Sequence, residues 1–155
     1  MTSVPVSEPS PPVLPAPAAL VLRGRRYDAA RPAVMAIINR TRDSFWPGNR
    51  HADDDSARAA LARAVELGAD IVDVGGVRAG QEGEWVDAAE EIRRVIPFLT
   101  YARETYPDLL ISLDTWRAEV AAAAPDGVVD IVNDTWAGAD PELVHCAAER
   151  GAAIV

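Results

Sequence analysis

Five short, nearly all-apolar runs alternate with helix-like stretches, and this alternation constrains the chain more than any other feature. The runs are Ala33–Ile38, Ile71–Val74, Leu109–Leu113, Val128–Val132 and Gly151–Val155. Each has strand length, and continuous apolar strands are those buried on both faces, as in parallel sheets covered by helices. Between them lie helical patterns over Ser56 to Leu67, Val86 to Tyr106, Arg117 to Ala124 and Asp140 to Arg150. In the first of these, Ala57, Leu61, Ala64 and Val65 share a face, Asp53, Asp54 and Asp55 suit its N-terminus, and Gly68 closes it. Pro97 is expected to kink or restart the second. Ahead of the repeats, Leu20–Tyr27 reads as a short hairpin around Gly24.

Alternating βα units leave two architectures, a doubly wound open sheet and a (β/α)₈ barrel. The length of 155 residues suits the sheet, since a complete barrel takes about 250. The chain nevertheless stops inside its fifth apolar run. The expectation is therefore the N-terminal half of a barrel over residues 20–155, truncated near the fifth strand. An incomplete barrel would expose strand edges, which predicts self-association or pairing with a complementary half-barrel. Residues 1–19 hold six of the twelve prolines and are expected to form a disordered tail, with a proline-docking motif as the alternative.

Composition removes several function classes. The net charge is −9, which argues against a general nucleic-acid binder or a binder of anionic membranes. All 15 cations are arginine, which excludes Schiff-base lysine chemistry and a P-loop lysine within these residues. One cysteine, Cys146, and two distant histidines leave no internal disulfide and no multi-ligand zinc cluster. Without a membrane-length apolar run or a signal-like N-terminus, the expected location is the cytoplasm.

Chemistry concentrates where the strands finish: Asn39, Asp73, Asp114 and Asn133 each follow apolar residues. In parallel α/β folds the carboxyl ends of strands face the active site, so these four would converge on one pocket. Asn and Asp also favour the turns that follow strands, and capping of the helix near Arg117 is the lesser alternative for Asp114. The segment from Asn39 to Arg50 is locally basic, with Arg40, Arg42 and Arg50 against Asp43. Trp116 and Trp136 could line the pocket or simply pack, and Cys146 reads as a small core residue. The acidic run Glu82, Glu84, Asp87, Glu90 and Glu91 reads as a solvated helix start.

Five ordered blocks resemble the dihydropteroate synthase family. Met35 to Phe45 (MAIINRTRDSF) is similar to its first signature, and Gly68 to Gly76 (GADIVDVGG) to its second. Arg94–Pro97, Ile111–Thr115 and Asp130–Asp134 follow in the family's order, so the likeness runs from about Ala33 to the end. The resemblance implies a pterin-binding barrel of folate biosynthesis, a transferase joining 6-hydroxymethyl-7,8-dihydropterin diphosphate to 4-aminobenzoate with Mg²⁺. It implies that Asp114 and Asn133 read the pterin, that Asn39 is the metal ligand, and that Thr41, Arg42 and Asp43 belong to the diphosphate loop. A full-length version would be a homodimer.

The family usually continues after the second Gly-Gly with Glu-Ser-Thr-Arg-Pro-Gly. This chain reads Val77-Arg78-Ala79-Gly80-Gln81-Glu82, which loses the threonine and arginine. The first loop departs too, with Trp46-Pro47-Gly48-Asn49 after the phenylalanine. The expectation is therefore a chain inactive alone, with a non-catalytic pterin-binding paralogue or partner of an authentic synthase as one alternative. A methyltetrahydrofolate methyltransferase-type barrel is the more distant one.

Overall fold

A computed structural model of the chain describes residues 19–41, 54–77 and 86–155. A two-stranded antiparallel hairpin, β1 (Leu20–Leu22) and β2 (Arg25–Tyr27), precedes a five-stranded parallel sheet. The sheet strands are β3 (Met35–Asn39), β4 (Ile71–Gly75), β5 (Leu110–Asp114), β6 (Ile131–Asn133) and β7 (Ala153–Ile154). Helices α1 (Asp54–Glu66), α2 (Ala88–Thr105), α3 (Ala118–Ala122) and α4 (Glu142–Glu149) connect them.

Strand order decides between the two architectures. The order β3-β4-β5-β6-β7 never reverses, whereas a doubly wound sheet reverses at its switch point. Helices also cover a single face. Ala57, Leu61, Val95, Leu99, Val120 and Leu143 from the four helices pack on Ile38, Val72, Val74, Ile111, Leu113 and Val132 of the sheet. The other face carries the alternate residues, which in a barrel point inward. This is the construction of a (β/α)₈ barrel over its first strands. On the inward side of edge strand β3, Met35 and Ile37 remain 38% and 51% exposed.

The hairpin closes the strand-start end. Leu22 and Tyr27 bury against Ile71, Leu110 and Ile131, the first residues of β4, β5 and β6. Tyr27 Oη also donates to Asp70 Oδ1 (3.4 Å), while Asp70 Oδ2 accepts from the Val34 amide (3.0 Å).

Three expectations change in detail. Helix α2 does not restart at Pro97 but continues through it, with Val95, Phe98, Leu99 and Ala102 buried on both sides. The strand expected over Val128–Val132 is only Ile131–Asn133. Asp130 keeps backbone bonds to the Ile111 carbonyl (2.8 Å) and from the Ala153 amide (2.9 Å), while its Oδ2 accepts from the Ile111 amide (2.8 Å) and pairs with Arg103, so regular strand pairing begins only at Ile131. Lastly, Glu91 is no solvated residue: its exposure is 0%, although Asp87 and Glu90 beside it behave as a cap and a surface ion pair. The hairpin, α1 and Gly68 are as expected, with Gly68 at φ +84°, where a side chain would be strained.

Candidate functional site

The register places Asn39, Gly75, Asp114 and Asn133 side by side at the C-terminal edge of the sheet. In-register residues of parallel strands share a face, so three polar side chains line one layer with a glycine between them. The glycine makes the space. A Cβ on Gly75 would lie 3.1 Å from Asp114 Oδ2 and 3.2 Å from Asn39 Oδ1.

Asp73 does not join this layer. It lies inside β4, two residues before Gly75, and its register partners are Ile37 and Ser112. The expectation that four polar residues end four strands thus becomes three polar residues at the rim and one carboxylate below. That carboxylate is buried and accepts from Ser112 Oγ (2.5 Å) and Asn133 Nδ2 (3.1 Å). Burial raises the Asp73 pKa above its usual value, and the bonds from Ser112 and Asn133 pull it back.

Asp114 is the most perturbed group of the rim. Burial, reinforced by the neighbouring Asp73 charge, pushes its pKa up to about 7, against a hydrogen bond from Thr135 Oγ1 (3.3 Å). Near neutrality both protonation states are therefore accessible, so Asp114 can accept an N–H or hold a proton. It caps no helix. The Ala118 amide at the start of α3 instead donates to Asp140 Oδ2 (2.8 Å).

The other candidate residues divide. Thr41 is buried, and its Oγ1 lacks a hydrogen-bond partner among the described residues. Arg42 and Asp43 lie outside the described residues. Arg40 is buried: Nε donates to the Arg94 carbonyl (3.2 Å), Nη2 pairs with Asp54, and the guanidinium lies 5.3 Å from the Phe98 ring centre. These contacts fasten the residue after β3 to α1 and α2.

Oxygen donors border the space above Gly75, and Asn39 has no side-chain hydrogen bond among the described residues. That suits a hard cation sharing its ligands with a bound oxyanion. No group of three or more His, Cys, Asp or Glu able to hold a metal occurs among the described residues.

Sequence reading missed Ser112, Thr135 and the Glu91–Arg117 pair. Ser112 was accessible from period-two alternation, since it precedes Asp114 by two residues on the same face. The Glu91–Arg117 pair joins α2 to the segment after β5 and had no sequence signal. Burial raises the Glu91 pKa, opposed by Thr115 and Arg117. Arg117 also donates to the Val86 carbonyl (2.9 Å) and lies 4.0 Å from the Trp116 ring centre, while the Trp116 and Trp136 rings lie 4.7 Å apart, tilted by 39°.

Comparison with known proteins agrees with this geometry. The sequence profile described as "Pterin binding enzyme" matches residues 35–155. The chain is 52% identical over 135 residues to "Inactive dihydropteroate synthase 2" of Mycobacterium leprae, covering 87% of this chain and 46% of that protein. It is 38% identical to a dihydropteroate synthase of Streptococcus pyogenes, covering 85% and 50%. Among solved structures, a Yersinia pestis dihydropteroate synthase in a sulfonamide complex superposes with a TM-score of 0.76 at 32% identity, covering 88% and 49%. The chain thus spans about half the length of these relatives. With profile, sequence and fold in agreement, the chain belongs to the pterin binding enzyme family.

Proposed function

We propose that this chain supplies the pterin-reading side of a dihydropteroate synthase-like site and does not itself carry out the condensation. The observation that carries the reading is the rim layer, where Asp114 and Asn133 stand in register above a buried Asp73–Ser112 pair. A pterin's aminopyrimidine edge offers N–H donors beside acceptors. A carboxylate takes two donors and an amide offers one of each kind, so the residue types match. Such polar sites discriminate well, because a wrong ligand leaves groups unpaired.

Two facts support a non-catalytic reading. A relative with 52% identity carries the name "Inactive dihydropteroate synthase 2", and the segment after Gly76 lacks the family's threonine and arginine. The substrates we assign to the parent reaction are 6-hydroxymethyl-7,8-dihydropterin diphosphate and 4-aminobenzoate. We also assign Thr41, with Arg42 and Asp43, to the diphosphate end. Asn39 would hold Mg²⁺ through its amide oxygen, and the metal would neutralise charge on the departing diphosphate. A cytoplasmic homodimer is the assembly we assign to the full-length protein. No helix among the described residues is long and apolar enough to cross a membrane.

Calorimetry with pterin and the purified chain tests the binding half. Asp114→Asn should weaken affinity by about 2–4 kcal/mol, because one acceptor becomes a mispointed donor. Unchanged affinity would remove Asp114 from the site. Mg²⁺-dependent diphosphate release with product formation by this chain would overturn the non-catalytic half.

A further inference from the structure

Both oxygens of the Asp73 carboxylate are engaged within the sheet, one layer below the rim. Oδ1 accepts from Ser112 Oγ (2.5 Å) and Oδ2 from Asn133 Nδ2 (3.1 Å). The three residues stand on adjacent strands β4, β5 and β6, so the bonds tie the inward face together across the sheet. One of the two donors belongs to the rim layer, and that is the informative part.

A primary amide has a donor end and an acceptor end, and it can be seated either way round. Both Asp73 oxygens act as acceptors here, Oδ1 from the Ser112 hydroxyl and Oδ2 from Asn133 Nδ2, so Asp73 holds Asn133 by its nitrogen. The carbonyl oxygen is then the end of the amide that Asp73 does not hold, on a residue in register with Asp114.

We infer that Asp73 is a positioning residue that locks the Asn133 amide with its oxygen toward the ligand, so that the site prefers heteroaromatic rings bearing an exocyclic amino group over their oxo counterparts. This deepens the proposed function and rests on its reading that Asn133 faces the ligand. Asp73 itself touches no ligand. A residue that merely filled the sheet's inner face would leave the Asn133 amide free to turn, and the preference for amino over oxo rings would not depend on it.

The test begins without any ligand. The chain has three asparagines and one glutamine, so few side-chain amide pairs crowd its nitrogen–proton NMR spectrum. The Asn133 pair is assigned by its loss in Asn133→Asp. In the wild-type chain one Asn133 Nδ2 proton should exchange at least about tenfold more slowly than in an unfolded peptide. Exchange at the peptide rate overturns the inference, and this arm needs no Asp73 variant to fold. Asp73→Ala should abolish the protection, whereas Ser112→Ala, which removes the other partner of the same carboxylate, should keep it. Protection that survives Asp73→Ala also overturns the inference.

The second arm titrates 2-amino-4-oxopteridine (pterin) and 2,4-dioxopteridine (lumazine) into both chains, followed by tryptophan fluorescence. Wild type should favour pterin, and Asp73→Ala should cut that preference about tenfold. An unchanged preference in a variant that has lost the exchange protection overturns the inference. If wild type binds neither probe, the proposed function fails, while the exchange measurement still decides whether Asp73 holds Asn133.

Discussion

Gly75 and Asp114 stand opposite each other in the ladder, and Asp114 Oδ2 lies 3.1 Å from where a Gly75 side chain would begin. The absent side chain is what lets two rim oxygens, Asp114 Oδ2 and Asn39 Oδ1, border one open space. Gly75→Ala should cost little stability, under about 1 kcal/mol, because two polar side chains can rotate aside. Pterin affinity should nevertheless fall, since those are the side chains that move. The neighbouring substitution behaves oppositely. A Cβ on Gly76 would lie 2.8 Å from Val95 Cγ1 and 3.1 Å from Glu91 Cγ, inside the contact with α2. Gly76→Ala should destabilise by about 1–3 kcal/mol in urea unfolding.

Stability should depend on pH through Asp114. Its folded pKa of about 7 lies above the usual carboxylate value, so the native state binds more protons than the unfolded state between roughly pH 4 and 7. The contribution is fully present below the unfolded pKa and is lost as pH rises through about 7. Buried Asp73 and Glu91, also raised, act in the same direction, while exposed Glu90, lowered by Arg94 and Arg93, opposes them. Asp114→Asn should remove its share, on the order of 1–3 kcal/mol between pH 5 and 8. Matching wild-type and Asp114→Asn stability profiles would refute it.

Arg117→Ala should be among the most damaging single changes. It strands the buried Glu91 carboxylate and releases the Val86 carbonyl, for a loss of about 3–5 kcal/mol. Adding Glu91→Gln should restore part of it, because the amide carries no charge to bury. A double variant no more stable than Arg117→Ala alone would show that the pair matters for packing and not for charge.

Trp116 and Trp136, in contact with their rings tilted by 39°, should produce a coupled near-ultraviolet circular dichroism signal. Trp136→Phe should abolish that signal and cost about 0.5–1.5 kcal/mol.

Met35 and Ile37 expose apolar surface on an edge strand, so the chain should self-associate at micromolar concentration. Replacing Met35 and Ile37 together by serine should shift sedimentation toward monomer. A monodisperse wild-type monomer would remove the edge as the cause of association.

Much of this architecture is legible in the sequence because each parallel strand is apolar on both faces. The runs around Ile38, Val72, Ile111 and Val132 stand out without any partner being known. The rim was legible for a related reason: a polar residue after such a run has few places to go except the strand's carboxyl end. Asp73 defeats that logic. It interrupts a strand instead of ending one, and only the register with Ser112 shows that it lies below the rim. Glu91 was misread because a carboxylate in an acidic helix start looks solvated until Arg117, 26 residues away, is brought against it. Pairings that distant follow from how α2 lies on the sheet, which local pattern does not encode.

The hairpin at the opposite end has its own consequence. Leu22 and Tyr27 plug the strand starts against Ile71, Leu110 and Ile131, far from Asn39, Asp114 and Asn133. The plug sits at one end and the candidate site at the other, so the two rest on separate residues. Loops at the rim can drift and a reaction can be lost without loosening the plug. A descendant that no longer catalyses anything still inherits a foldable scaffold with a shaped mouth, available for a new ligand.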